Sequence, residues 1–240
     1  MSNKKTRIGF VYNSQVPEAS ELVDSLIGSL ALGDLAWSAT ADAVAELGQD
    51  LSETSLVVTV GGDGTILRTV RATAAHDVPI LSVNLGKVGF MSELEVDAAL
   101  RGISCFINGQ ADEAWIDDRM MVRAIVKLVS EAEVPVADAL NEVVLSRGQS
   151  AKLLRVEALV DDAELTTYRA DGVLVSTATG STGYAMAAGG PLINPSSEDM
   201  LLLPIAPHMC LDTGLVLPGQ SVVDLKVKNA ADTLLSVDGV

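Results

Sequence analysis

Aromatic side chains are scarce in this chain of 240 residues: three Phe, three Tyr and two Trp. Its 48% hydrophobic content must therefore build a core from Val, Leu, Ala and Ile. Cysteine is limited to Cys105 and Cys210, far apart and in apolar surroundings. That excludes a disulfide framework and a cysteine metal site, and it points to buried free thiols in a reducing compartment. His76 and His208 are the only histidines. No Ser-His-Asp order, HExxH or GxxxxGK[ST] occurs, so the triad, zincin and P-loop chemistries are excluded. Positive charge is in deficit, with 16 Lys and Arg against 32 Asp and Glu and a net charge of −16. Such a chain does not bind nucleic acid non-specifically, and any phosphate site in it has to be made by backbone and a few placed cations. No run of about 18 apolar residues suggests a membrane span. The polar start, MSNKKTR, has no apolar signal core, so the expected location is cytoplasmic.

The most informative stretch is Leu56–Thr73. Five β-prone apolar residues, Leu56–Val60, end abruptly in Gly61-Gly62-Asp63-Gly64-Thr65. A helix-competent run follows, with Ile66, Leu67 and Val70 on one face. Strand, glycine turn and helix start together make an anion site: the glycines let a ligand reach the backbone, and the first-turn amides lack partners. A lone carboxylate, Asp63, in that cradle must do something other than neutralise phosphate. Metal binding, sugar-hydroxyl binding and proton abstraction are the candidates.

Along the chain, strands are expected at Arg7–Tyr12, Leu35–Trp37, Leu56–Val60 and Pro79–Val83. Helices are expected at Glu18–Leu30, Ala41–Leu51 and Thr65–Ala75, with one more at Ala98–Asn108. This alternation predicts an α/β domain with a parallel, doubly wound sheet. Ligands of such sheets sit off the carboxyl ends of the strands. GGDGT and the next turn, Asn84–Phe90, both lie there and should face one crevice. Period-2 alternation then takes over, as in Leu154, Val156, Ala158 and Val160 against Arg155 and Glu157. The expected organisation is an α/β domain over 1–97 and a β-rich domain over 98–240.

A second glycine-rich block, DGVLVSTATGSTGYAMAAGGP (Asp171–Pro191), carries small and hydroxyl-bearing residues suited to sugar or phosphate oxygens. A tight loop feeding a helix at Tyr184–Ala188 is the structural alternative. Asn141-Glu142 precedes a strand, and an amide beside a carboxylate suits ribose hydroxyls or an amino group. Asp117-Asp118-Arg119 reads as a charged turn with an internal ion pair. Arg169 and Asp171 flank a strand start, as surface pairs often do.

Taken together, GGDGT (61–65), NLGKVGFMSE (84–93), DDRMM (117–121), NEVVLSRG (141–148), YRADGVLVSTATGSTGYAMAAGGPLI (168–193), PIAPH (204–208) and LVLP (215–218) resemble the NAD kinase family, the inorganic polyphosphate/ATP-NAD kinases. GGDG alone is shared with lipid kinases and phosphofructokinases; the Asn-Glu motif with the TGST-x-Y block is the specific part. The resemblance implies an α/β nucleotide domain followed by a sandwich-like β domain, with the site between them and a final return of the chain toward the first domain. It implies transfer of a phosphoryl group from ATP, another nucleoside triphosphate or polyphosphate to the 2′-hydroxyl of the adenosine ribose of NAD, giving NADP. Asp63 would be the base. Gly62, Gly64 and Thr65 would line the donor phosphates, with Arg68 supplying positive charge and Phe90 in the second turn. Asn141 and Glu142 would hold the ribose and nicotinamide side. Thr182 and Tyr184 would contact the adenine end, with Gly183 and Ala187 in the same loop. Lys152, Arg169 and Asp171 match further ligand positions, the last two contributed across a subunit interface, which implies a homodimer or homotetramer. Mg²⁺ or another divalent cation would accompany the donor, and no residue is assigned as its ligand.

The sequence departs from the family at Ala178, where proline is usual, at Gly183, where alanine is usual, and at Lys87-Val88. The family also usually continues beyond Ser236–Val240 with further strands. Two other readings stand beside the first: a related GGDG kinase for another acceptor, and a non-catalytic dinucleotide-binding or regulatory protein. Asn141-Glu142 argues against a lipid acceptor, and Asp63 against a pure binder.

Overall fold

The computed structural model describes residues 7–47, 51–86, 89–110, 115–127, 133–149, 152–228 and 232–239. The chain divides into two units, Met1–Ile116 and Asp117–Val240.

In the first unit, strands β1 (Arg7–Tyr12), β2 (Ala36–Thr40), β3 (Thr54–Val60), β4 (Ile80–Asn84) and β5 (Leu94–Glu95) form one sheet in the order β2-β1-β3-β4-β5. Every pair is parallel. Both faces are covered, which is why β3 reads as an almost unbroken apolar run. Ile8, Phe10, Leu56, Val58, Val60 and Val83 pack against Ala19, Val23 and Leu26 of α1 (Pro17–Ser29) and Ala99 and Ile103 of α3 (Val96–Ile107). The opposite side chains, Val11 and Val57, pack with Trp37, Val44 and Leu51, beside Ala72 of α2 (Asp63–Thr73). Each such fully buried aliphatic side chain contributes roughly 1.5–3 kcal/mol. Pro17 and Glu18 open α1, where a missing N–H costs nothing and an acid meets the positive helix end.

Two expectations change here. Ala41–Leu51 does not begin as the expected helix: residues 41–47 make a turn and a 3-10 turn, Val44–Glu46, residues 48–50 lie outside the described residues, and Leu51 is α-helical. The Ala41 amide is tied to the Tyr12 carbonyl at 2.9 Å, and Glu46 and Leu47 bond three residues back, while Val44 and Leu51 are both buried in the core. The division between units falls at 116/117, where the sequence had suggested 97/98. Helix α3 stays with the first unit because Ala99 and Ile103 are buried in its core.

The second unit is β-rich. Strands β8 (Glu142–Arg147), β11 (Gly172–Thr177), β12 (Met200–Ile205), β13 (Leu215–Leu217) and β15 (Thr233–Val237) form an antiparallel sheet in the order β13-β12-β11-β8-β15. A three-stranded sheet, β10-β9-β14, comes from β9 (Leu154–Val160), β10 (Ala163–Ala170) and β14 (Val223–Val227). A further pair joins β6 (Val122–Lys127) to β7 (Glu133–Ala139). The two larger sheets pack face to face. Leu154, Val156, Ala158, Tyr168 and Ala170 of one meet Val173, Val175, Met200 and Leu202 of the other. The alternation read from 154–160 thus points inward as expected, while Glu157 pairs with Lys228 at 2.8 Å. The other face of the five-stranded sheet carries Val144, Leu174, Leu201 and Leu203, closed by Ala185 of the short helix α4 (Tyr184–Ala187). With both faces covered, β11 is buried along its whole length. No helix among the described residues is long and apolar enough to cross a membrane.

Candidate active site

In the first unit, β3 delivers Gly61 and Gly62 to the start of α2. Gly61 is required by contact: a Cβ there would collide with the Thr65 side chain, which is buried beneath the turn. Gly62 and Gly64 are different. A Cβ at Gly62 would meet nothing, and one at Gly64 would only touch the end of Arg68. Packing does not explain these two glycines, and close approach of a ligand to their backbone does. The Gly62 carbonyl accepts from Thr65 and Ile66, so the helix begins at once, and the amides of Asp63 and Gly64 have no acceptor inside it. Arg68 is exposed, 3.4 Å from the Gly64 carbonyl and 3.4 Å from Asp42. Its pairing is a weak surface one that a phosphate can replace.

Asp63 is fixed by the second turn, so the expected convergence of the two turns holds. The Phe90 amide donates to one carboxylate oxygen at 3.2 Å. Gly89 lies against that carboxylate so closely that a Cβ would overlap it. The other oxygen is buried and finds no partner among the described residues. A buried carboxylate oxygen without a donor is costly unless something else supplies one. The Phe90 ring itself is exposed. Lys87 and Val88 lie outside the described residues.

In the second unit, Asn141 and Glu142 sit where β8 begins, against the loop that follows β11. The Asn141 carbonyl accepts from the Thr177 amide at 2.9 Å and the Ser176 hydroxyl at 3.2 Å. Thr177 Oγ1 bonds the Leu140 carbonyl at 2.5 Å and accepts from the Gly180 amide. Gly180 is obligatory because a Cβ would run into the Asn141 carbonyl. The Ser176 and Thr177 hydroxyls are therefore spent on holding the Asn-Glu turn, and that of Ser181 on the Ile193 carbonyl, rather than left open for sugar oxygens. Thr182, half-buried, bonds the Thr179 carbonyl at 3.2 Å.

What the loop leaves open is the Asn141-Glu142 pair. Asn141 Oδ1 and Glu142 Oε2 are both buried and both without partners among the described residues. Gly183 faces them: a Cβ there would stand 3.3 Å from Glu142 Oε2 and 3.5 Å from Asn141 Nδ2. Alanine, usual in the resembled family, would press on the carboxylate. Burial, with the neighbouring Asp238, pushes the Glu142 carboxyl up to about 7, against a hydrogen bond from the Tyr184 amide. A carboxyl so displaced, in a buried cluster of polar atoms without partners among the described residues, makes Glu142 a candidate functional position.

The remaining expected residues lie around this cluster with less engagement. The Tyr184 ring is half exposed and Ala187 is exposed. Asp171 does not pair with Arg169 as its spacing suggested. Arg147 takes it instead, at 2.7 Å, because β8 and β11 are neighbours and Arg147 faces the end of Gly172–Thr177. Asp171, Arg147 and Tyr184 border an open pocket with Ser146, Gly148 and Ile205. Arg169 and Lys152 are exposed on the same unit. Asp117 and Arg119 form the local ion pair expected of that turn. His208 is held through its backbone, its amide donating to the Arg169 carbonyl.

Three participants had no sequence reading of their own: Gly89, Arg147 and Asp238. Gly89 stood inside a quoted motif. Asp238 carried only the signal of an Asp-Gly turn after a strand, and nothing in the sequence links it to residue 140.

Residues 14–111 match the family model of the ATP-NAD kinase N-terminal domain, and residues 140–240 that of the ATP-NAD kinase C-terminal domain. An NAD kinase of Dehalococcoides mccartyi is 43% identical over 97% of this chain and 81% of its own length. The crystal structure of yeast NADH kinase complexed with NADH matches all of this chain and 80% of that one, with a TM-score of 0.80 at 25% identity. An NAD kinase from Archaeoglobus fulgidus in complex with ATP matches 98% of this chain and 84% of its own, with a TM-score of 0.78 at 25% identity. The open glycine cradle with its embedded acid and the Asn-Glu pair are thus features of a chain that belongs to the ATP-NAD kinase family of phosphotransferases.

Proposed function

We propose that this chain transfers the terminal phosphoryl group of ATP to the 2′-hydroxyl of the adenosine ribose of NAD, with Asp63 as the base. The observation that carries the reading is the Asp63 carboxylate: one oxygen is held by the Phe90 amide, and the other is buried with no partner among the described residues, beside an uncrowded Gly62. A substrate hydroxyl would supply the missing donor, and its proton would pass to the carboxylate as the new O–P bond forms and the bond to the leaving ADP breaks. Phosphoryl transfer asks for positioning and charge stabilisation more than covalent chemistry. The first-turn amides of α2, the Gly62 and Gly64 backbone and Arg68 take the donor phosphates, while Thr65, buried with its amide on the Gly62 carbonyl, supports the turn from beneath instead of lining the phosphates as expected. Asn141 and Glu142 hold ribose hydroxyls through the atoms that lack partners. Thr182, Gly183, Tyr184 and Ala187 border the adenine end, and Lys152, Arg169 and Asp171 take further polar contacts.

The donor enters as its complex with Mg²⁺ or another divalent cation, in keeping with a chain so poor in cations of its own. Among the described residues no cluster of three or more His, Cys, Asp or Glu is spaced to hold a metal. Assembly as a homodimer or homotetramer and work in the cytoplasm belong to the same reading. A chain with two cysteines only, Cys105 and Cys210, far apart in sequence, is in keeping with a reducing compartment. Support for the substrates comes from the relatives described with NADH and with ATP.

The test is direct. With Mg²⁺ and ATP the purified chain should convert NAD to NADP, and chelation of the metal should stop it. No 2′-phosphorylation of NAD or NADH with ATP or polyphosphate would sink the reading. Gly89→Ala provides a second check. Its Cβ must displace the Asp63 carboxylate, and a shift of about 1 Å at a reacting group costs on the order of 10²-fold in rate. Steady-state kinetics should show kcat falling by that order while the circular dichroism of the variant stays native.

A further inference from the structure

Asn141 and Glu142 are the polar pair left open in the second unit, so what aims them matters as much as their identity. Their backbone is held from a distant part of the chain. Asp238, just past β15, accepts the amide of Leu140 at 2.9 Å with one carboxylate oxygen. With the other it accepts those of Asn141 at 2.8 Å and Glu142 at 3.1 Å. Its own amide returns a bond to the Glu142 carbonyl at 3.0 Å. Three consecutive amides converging on one carboxylate form a nest, and the charge on the acceptor makes those bonds shorter and stronger than neutral ones. Asp238 adopts φ +51°, in the left-handed region that a non-glycine residue enters at a cost and that Asp and Asn enter most readily. The clamp is therefore held in a strained conformation, which persists only where the surroundings over-determine it.

We propose that Asp238 is a positioning residue for the ligand-binding pair: by gathering the amides of 140–142 it fixes the directions in which the Asn141 and Glu142 side chains present their unpaired atoms. The proposal rests on the reading of that pair as the NAD-binding end. Asp238 also faces Glu142 as its neighbouring charge, with the Tyr184 amide and Gly183 on the other side. The same carboxylate that aims Glu142 thus favours its protonated form near neutral pH.

Asp238→Asn and Asp238→Gly both tolerate the left-handed backbone, so both should fold. Neither can receive three amides with a full negative charge. For each variant, KM for NAD should rise tenfold or more, while KM for ATP stays within twofold and kcat falls less than KM rises. The pH at which KM for NAD changes should move downward, because the charge beside Glu142 is gone. Amide hydrogen exchange at Leu140, Asn141 and Glu142 should accelerate at least tenfold in both variants, with the β9 and β10 amides unchanged. A merely structural tie would lower the melting temperature and leave KM for NAD and its pH profile unmoved, and that result overturns the proposal. Unchanged exchange at 140–142 overturns it as well, whatever the activity. If the unsubstituted chain phosphorylates no NAD, the functional reading falls instead, and the exchange at 140–142 decides the clamp by itself.

Discussion

Asp63→Asn should lower kcat by about 10²–10⁴-fold, the range over which a positioned general base contributes, while KM values for both substrates change little. The amide oxygen of Asn still accepts from the Phe90 N–H, and the side chain has nearly the same volume, so the loop and the start of α2 keep their shape. What is lost is the ability to take a proton from the attacking hydroxyl. Thermal melting of the variant should therefore match that of the parent chain, and isotope-labelled product assays should detect only residual turnover. A variant that retains more than a tenth of the parent kcat would remove Asp63 from the chemistry and leave it a structural anchor of the second turn.

Glu142→Gln should act in two directions at once. In the folded chain burial and Asp238 raise this carboxyl from 4.5 to about 7. The native state therefore binds a proton that the unfolded chain has already released, and stability falls as the pH rises from about 4.5 to about 7. Above pH 7 the buried charge costs the native state about 3 kcal/mol. Glutamine carries no charge, so the variant should be the more stable protein at pH 8, by up to that amount. The advantage should shrink at pH 5, where the native Glu142 is already protonated. Denaturant melts of both chains at the two pH values measure it, and parallel pH dependence would mean that Glu142 is not raised at all. The opposite effect falls on binding. Loss of a charge-assisted hydrogen bond to a ribose hydroxyl, roughly 1.5–3 kcal/mol, should raise KM for NAD by an order of magnitude or two at pH 8. A residue that destabilises its own fold while serving a ligand is the familiar exchange of stability for activity.

Much of the first unit was legible because its signals are local. Strand β1 runs over the expected residues, and Leu56–Val60 and the run after GGDGT became β3 and α2. Continuous apolar runs between helical stripes can only be satisfied by a parallel sheet covered on both faces. The exceptions are instructive. Val44 carries helical spacing, yet residues 41–47, with Ala41 bonded to Tyr12, form a turn and a 3-10 turn in place of an α-helix. Helix α3 looked like the start of a new pattern, and only the burial of Ala99 and Ile103 against the first sheet assigns it.

The site divides along the same line. Composition, the glycine spacing and the quoted motifs were enough to single out Asp63, the Asn141-Glu142 pair and the Thr182–Tyr184 loop as candidates, because residue type and order along the chain carry those signals. The tertiary structure decided which of these atoms are already bonded among the described residues. It bound Asp63 to Phe90 under Gly89, spent the hydroxyls of Ser176 and Thr177 on the Asn141 turn, and gave Asp171 to Arg147. It also brought Asp238 across the second unit to three amides near residue 141. Hydrogen bonds between residues so distant in sequence leave no periodicity and no motif; they exist only once strand pairing has put their donors and acceptors within reach of one another.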